Sequence, residues 1–387
     1  MKTEEVLKIV PQLKKDELYF WRKSGFIHSQ VIRDGRVKRH EWDLNEVQKI
    51  RNIKEYCATG LSPKEAYRRV KENLAVSIKF LGVGGAGCNI LEFLSHHVPR
   101  GVQYIAIDTD VSSLRRSAAC HRVHLGDKIT TNLGLAGNWK LGAQAAKEGR
   151  EELERLMGGA DIVFISAGLG GGTGSGSAPV IAELARELGA VTIAIVTRPF
   201  MFEGSSKTNV AERALSRLKK TADPLVVIPN EQVLSRCDQD ITIDRAFETV
   251  NDRVELIVES IAELVLTPGL IEVGYSDIKD IVRLGKPVCI SVGLGAGKDR
   301  AINASRAMLD NYSLDTSIIK EATHVLFNIS GPSDLSLQEV YDAAEMIKKA
   351  IPPTAEITFG LIHSRTLNDE VRVILFAAGG SPPDRSH

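Results

Sequence analysis

The chain lacks any apolar run of 18 residues or more, which leaves no candidate for a membrane-spanning helix. Its start, MKTEEVLKIV, carries acidic residues where a secretory leader would be basic. Five cysteines, Cys57, Cys88, Cys120, Cys237 and Cys289, show neither C-x-x-C spacing nor a pairing pattern. Zinc clusters and disulfide frameworks are therefore not expected, and the thiols read as buried groups in a reducing compartment. The histidines are equally uninformative: His96 and His97 fall on different helix faces, His121 and His124 flank a short strand, and none has metal-ligand company. Repeats and low-complexity tracts are missing as well. A cytoplasmic location without membrane insertion is the expectation.

What is present is ordinary in bulk and uneven in detail. With 387 residues, 43% hydrophobic and 25% charged, the chain can bury two or three separate cores. Net charge is zero, yet residues 1–76 hold 17 Lys/Arg against 11 Asp/Glu, leaving 32 against 38 for the rest. A basic end of this kind hints at a polyanionic partner. From Ile78 onward the apolar runs IKFLGV, VQYIAI, DIVFIS, AVTIAIV and PLVVIP alternate with amphipathic stretches, the pattern of a parallel sheet covered by helices. Ile243 to Leu266 is then periodic over 24 residues, about 36 Å as one helix, and Thr267-Pro268-Gly269 stops it. PVCISVG, ATHVLFNISG, EITFGLIH and VRVILFAAG predict a second, smaller sheet, with helices near Lys298–Leu309 and Ser336–Lys349.

Residues 1–76 have another plan. Phe26–Arg33 and Arg36–Trp42 flank Asp34-Gly35, a pair suited to a two-residue hairpin turn. Leu44–Tyr56 repeats Leu44, Val47, Ile50 and Ile53 at helical spacing; Gly60 can end that helix, and Ser62-Pro63-Lys64-Glu65 is a capping box opening the next. Helices around a hairpin in so small a unit suggest a helix-turn-helix module with a wing.

Gly82, Gly84 and Gly87 fit G-x-G-x-x-G at the end of an apolar run, with Asp108 a further 21 residues on. That fingerprint suits a dinucleotide turn. A dinucleotide needs one strand-loop-helix grip, however, and a second is present: GLGGGTGSGSAP, residues 168–179, between DIVFIS and the helix PVIAELAREL. Six glycines in nine positions allow close backbone approach to a polyanion, and Thr173 and Ser175 add hydroxyl donors.

GVGGAGCN, DTDVSSL, GLGGGTGSGSAP, RPFMFEG and AFETVNDRV resemble, in order and spacing, the FtsZ family of the tubulin superfamily. The likeness covers about residues 77–380. It implies an α/β fold: a Rossmann-like parallel-sheet GTPase domain over 77–242, a long central helix over 243–266, and a smaller α+β C-terminal domain over 267–380, with a tail at 381–387. It also implies head-to-tail filaments of identical copies and hydrolysis of GTP where copies meet. By position, Gly84, Gly85, Ala86, Gly87, Cys88, Asn89 and Asp108 stand near the nucleotide. Gly170, Gly171, Gly172, Thr173, Gly174 and Ser175 stand on its phosphates, and Gly137 and Asn138 in the loop that senses the terminal one. Glu203 matches a ribose contact, Phe247 a stacking ring, and Asn251, beside Asp252, a hydrogen-bonding partner of guanine. Bound ligands would be GTP or GDP with Mg²⁺ riding on the nucleotide rather than on a protein cage.

The pattern also departs from the family. Its catalytic loop reads N-x-D-x-x-D, whose carboxylates enter the neighbour's site; the aligned residues here are Glu272, Gly274 and Asp277. Asp277 is the better candidate for polarising water and Glu272 the second, with slow or altered hydrolysis expected. Alternatively GTP serves as a structural or switching ligand. Lys207 replaces an arginine, a point charge for a planar fork, and Asp108 replaces an asparagine. The family's long linker and adaptor-binding peptide are not seen after Ala378.

DELYFWRKSGFI, the hairpin and DLNEVQKIRNIKEYCATGLSPKEAYRRV resemble the winged-helix domain of MerR-type regulators. That likeness implies contact with duplex DNA, with Lys14, Lys15, Arg22 and Lys23 on the helix side and Arg33, Arg36, Lys38 and Arg39 on the wing as phosphate contacts. Docking of a protein partner is the alternative for this module. For the whole chain, a GTP-switched DNA-binding regulator that does not polymerise is the opposing class, and an NAD enzyme a distant third.

Overall fold

A computed structural model describes residues 2–10, 13–34, 37–42, 44–58, 62–64, 66–67, 76–97, 101–127, 134–135, 137–234, 241–311 and 315–380. At the N-terminal end, helices Thr3–Ile9 and Lys15–Lys23 precede a hairpin of β1 (Gln30–Asp34) and β2 (Val37–Glu41), and helix Leu44–Ala58 comes after it. Val6, Leu18, Trp21, Ile27, Trp42, Ile50 and Ile53 close a core of their own. The hairpin pairs Asp34 with Val37, so Asp34 belongs to the strand and not to the turn in which the sequence suggested it. A glycine is acceptable at either centre of a two-residue connection, so composition alone does not set the register.

Six parallel strands form the main sheet: β3 (Ile78–Val83), β4 (Val102–Asp108), β5 (His121–His124), β6 (Ile162–Gly168), β7 (Val191–Arg198) and β8 (Leu225–Pro229). Their order is β5-β4-β3-β6-β7-β8. All six residues of β3 are buried, because helices cover both faces, and this is why the strands read as unbroken apolar runs. Strand order reverses between β3 and β6. In open α/β sheets ligands bind outside the strands' carboxyl ends at such a reversal.

The central helix, Ile243–Leu266, matches its expected limits and is capped by Thr242, whose hydroxyl accepts the Arg245 N–H. Its apolar side, Val250, Val254, Val258, Ile261 and Val265, fills the space between the main sheet and a second one. That second sheet has the order β11-β10-β12-β9, from β9 (Val288–Ala296), β10 (Ala322–Gly331), β11 (Glu356–His363) and β12 (Glu370–Gly379). Helices Arg300–Leu309 and Leu337–Ala350 cover its far face. The result is the α/β architecture expected, with a separate smaller sheet. Among the described residues no helix is long and apolar enough to cross a membrane.

One boundary differs instructively. The helix after β6 runs from Gly172 to Glu187 and includes Pro179, whereas the sequence suggested a start at Pro179 itself. Glycine is a poor helix former, but this helix packs against Trp139–Glu148 so closely that a side chain at Gly176 would meet the Trp139 carbonyl at 2.2 Å. Tertiary contact overrides propensity there.

Candidate functional site

The glycine runs sit side by side because β3 pairs with β6, Val83 opposite Ala167. Helix Gly84–His97 opens directly from β3 and helix Gly172–Glu187 four residues after β6. Two helix N-termini therefore converge, each with unpaired amides and the positive end of its dipole. Gly84 takes φ +73°, a left-handed conformation, and a side chain on it would stand 2.9 Å from the Gly174 nitrogen. Only backbone fits where the two loops touch. Thr173, 8% exposed, shares a 2.7 Å hydroxyl hydrogen bond with Thr109 at the end of β4.

Above the loops lies a cavity of about 680 Å³. Of the residues singled out from the sequence, Gly84, Gly85, Ala86, Asn89, Gly171, Gly172, Thr173, Gly174, Glu203, Lys207 and Phe247 line it. Others support it from behind. Gly87 is pressed against the Ser166 carbonyl. The Ser175 hydroxyl accepts the Gly170 N–H at 2.8 Å, and Asn138 caps helix Trp139–Glu148 through the Leu141 N–H. Gly137 precedes that cap with φ +84°, and Asn251, half-buried, sits one turn along the central helix from Phe247. Cys88 points its thiol at the Gly82 and Ile107 carbonyls, and burial, reinforced by the Asp108 charge, pushes it up to about 12. It is an inert packing group. Asp108 is itself raised by burial, against the Thr109 and Asp110 N–H groups and the Ser113 hydroxyl that favour its charged form.

Glu203 accepts the Phe200 N–H at 2.9 Å and the Lys207 ammonium at 2.7 Å. Its partial burial works against ionisation, but Lys207 and the Phe200 N–H outweigh it and hold the carboxyl below its ordinary value. Phe247 is 50% exposed and stands edge-on to Phe200 at 5.9 Å, which in turn stacks on Phe202 at 5.0 Å. An aromatic shelf thus faces the cavity.

Sequence reasoning missed Asn230. It is only 6% exposed, lines the cavity, and its Oδ1 has no hydrogen-bond partner. A buried acceptor left open costs free energy until a donor meets it. Asn230 directly succeeds β8, at the same carboxyl edge as both glycine loops, a placement that shows only once the sheet is assembled. Thr197, Phe200, Phe202 and Thr242 complete the rim without having been singled out. Open amides, an orphaned acceptor and an aromatic shelf suit a purine nucleotide with a phosphate chain. No group of three or more His, Cys, Asp or Glu poised for a metal occurs among the described residues.

Glu272 and Asp277 do not line this cavity; they lie past the far end of the central helix, whose 24 residues span about 36 Å. Their loop is tied to β11: Leu361 accepts the Leu270 N–H at 2.7 Å and donates its own N–H to Ile271 at 2.9 Å. Asp277 accepts the Gly274 N–H at 2.9 Å, capping helix Tyr275–Arg283 with one carboxylate oxygen. Glu272 is half-buried.

At the N-terminal end, Lys14, Lys15 and Lys23 are exposed on helix Lys15–Lys23 or its cap, and Arg22 lies over the Tyr19 ring at 5.3 Å. Tyr19 and Phe20 are exposed beside them. Arg33, Lys38 and Arg39 fall on the hairpin strands, but their side chains, and Arg36 altogether, lie outside the described residues.

Residues 77–238 match the model of the Tubulin/FtsZ family GTPase domain, and residues 287–381 that of the FtsZ family C-terminal domain. An empty FtsZ dimer of M. jannaschii is 37% identical, with 82% of this chain and 93% of that one covered, at a TM-score of 0.73. A point mutant of M. jannaschii FtsZ is 35% identical over 84% and 99% of the two chains, TM-score 0.72. CetZ2 from Haloferax volcanii, solved as a GTPγS-bound protofilament, is 21% identical over 80% and 95%, TM-score 0.67, a likeness of fold alone.

Proposed function

The chain belongs to the tubulin/FtsZ family of GTPases, and from that premise we propose a cytoskeletal protein that binds GTP in the cavity above the paired glycine loops and assembles head to tail. Gly84, Gly85, Ala86, Gly172, Thr173 and Gly174 hold the phosphates through main-chain N–H groups and the Thr173 hydroxyl. Phe247 stacks on the base while Asn230 accepts a base N–H. Mg²⁺ travels with the phosphate chain. The observation that carries the reading is the separation of cavity and loop. A cavity at one end of a helix of about 36 Å and a carboxylate-bearing loop at the other cannot serve each other within one copy. Two copies in line bring the loop of one to the cavity of the next.

Hydrolysis at that junction is slow. Gly274 brings no carboxylate, and Asp277 commits one of its oxygens to the Gly274 N–H. The exposed cations Lys14, Lys15 and Lys23 support a role for residues 1–76 as a MerR-like winged helix that binds duplex DNA. Weak single sites repeated along one filament gain affinity by effective concentration. Cell division and DNA positioning both fit such a device. The cap that Asp277 makes on the Gly274 N–H supports a second reading: a GTP-switched DNA-binding regulator that does not polymerise.

Sedimentation with labelled GTP, tracking pelleted protein and released phosphate together, tests the reading directly. Pelleting with GTP and not with GDP, with slow phosphate release confined to pelleting conditions, is the expected result. Tight GTP binding without nucleotide-dependent pelleting or light scattering would favour the switch.

A further inference from the structure

Arg372, in β12, is 2% exposed, and its guanidinium bridges two acids of the central helix: Nη1 to Glu259 at 2.8 Å and Nη2 to Glu263 at 2.6 Å. Opposing carboxylates raise the arginine's basicity although its burial acts the other way. The fork spans two successive turns, because Glu259 and Glu263 are four residues apart. Neighbouring contacts of the helix are apolar, through Val258, Ile261 and Val265, and such contacts are non-directional. A fork with one prong on each turn is different: both prongs are satisfied at one axial offset only, since the next residue lies about 1.5 Å further along the helix.

Immediately beyond this clamp comes the loop with Glu272. Glu263 also accepts the Thr267 N–H at 2.9 Å, through its main-chain carbonyl, which ends the helix, and four residues later Ile271 is bridged to Leu361 of β11. Both ends of residues 267–271 are thus fastened to the smaller sheet, one by the ion triad and one by a backbone bridge. We propose that Arg372 is a positioning residue for GTP hydrolysis: its two-pronged clamp sets the register of the central helix on the C-terminal sheet and so aims the Glu272 and Asp277 loop at the next copy's nucleotide. The inference rests on the reading that this loop acts across the junction between copies. Buried ion clusters are often no more stabilising than apolar residues of like volume, which is why register is the role left for this one.

Arg372→Met alone strands two acids, so the informative protein is the full-length triple variant Arg372→Met/Glu259→Leu/Glu263→Leu, beside Arg372→Lys, which keeps the charge and loses the fork. GTP affinity of the unassembled protein, pelleting, and phosphate release per pelleted subunit are measured on each. The expected result is unchanged affinity and retained pelleting with turnover per pelleted subunit down about ten- to hundred-fold in the triple variant, and an intermediate loss in Arg372→Lys. Wild-type turnover per pelleted subunit in the folded triple variant overturns the proposal; should that variant not fold, wild-type turnover in Arg372→Lys overturns it instead. Asp277→Asn, run in parallel, separates the two claims. Undiminished turnover there removes the loop's catalytic role and this inference with it. Diminished turnover there with wild-type turnover in the Arg372 variants removes this inference alone.

Discussion

Asn230 and Gly274 show how single positions carry consequences beyond their neighbours. With its Oδ1 buried and unpartnered, Asn230 has an acceptor waiting for a ligand donor. Asn230→Ala should weaken GTP binding by about 1–3 kcal/mol while leaving the thermal midpoint of the unliganded protein equal or higher, as calorimetry and melting would show. At Gly274 a side chain would meet nothing within 4 Å, and φ of −139° is extended backbone open to any residue. Gly274→Asp should therefore be accepted without strain and raise phosphate release per pelleted subunit by about tenfold or more, since it adds a carboxylate to the loop proposed to act on the next copy's nucleotide. The Glu203–Lys207 pair makes a third prediction. Because the folded carboxyl titrates below its unfolded value, its contribution is present above the unfolded value and is lost as pH falls through the folded one. Melting curves taken downward from pH about 5 should fall more steeply for the native protein than for Glu203→Gln. Of these residues Glu203 was legible in a motif, and Gly274 as a departure from one. Asn230 was not, because a lone asparagine after a strand carries no pattern until the sheet brings it over the same cavity.

At the scale of elements, the helix Gly172–Glu187 illustrates a conflict between local preference and packing. Gly176→Ala would favour the isolated helix by about 1 kcal/mol. A methyl there would nonetheless lie 2.2 Å from the Trp139 carbonyl oxygen, which is backbone and has nowhere to go. Overpacking of this kind costs about 1–3 kcal/mol or more, so the substitution should lower the denaturation midpoint and, by tilting the phosphate-binding turn, weaken GTP binding measured by titration. The central helix is the opposite case. Its periodicity, the Thr242 cap and the Thr267-Pro268-Gly269 stop agree with one another, and its limits were readable to the residue. The N-terminal hairpin lies between these cases, its strands legible but Asp34 in the strand rather than the turn. On the helix before it, replacing Lys14, Lys15 and Lys23 with alanine should reduce the salt dependence of duplex binding by about 0.9 in log–log slope for each phosphate no longer neutralised. A slope unchanged by the triple replacement, or no duplex binding at low salt, would count against the proposed DNA role of that helix.

For the molecule as a whole, the decisive arrangement is a nucleotide cavity at one end of the central helix and a clamped loop at the other. Copies carrying Asp277→Asn should cap productive junctions when mixed with wild type, lowering phosphate release in proportion to their share while pelleting continues. The succession of strands along the chain, the two glycine grips and the long helix were all determined by the amino-acid sequence alone. Periodicity and glycine placement are local properties, written within a few residues of where they act. The register of β3 on β6, with Val83 opposite Ala167, was decided only by the tertiary structure. So was the closing of Arg372 on Glu263, 109 positions earlier in the chain. Pairings between distant segments depend on how sheets and helices stack, and no window of sequence records that distance.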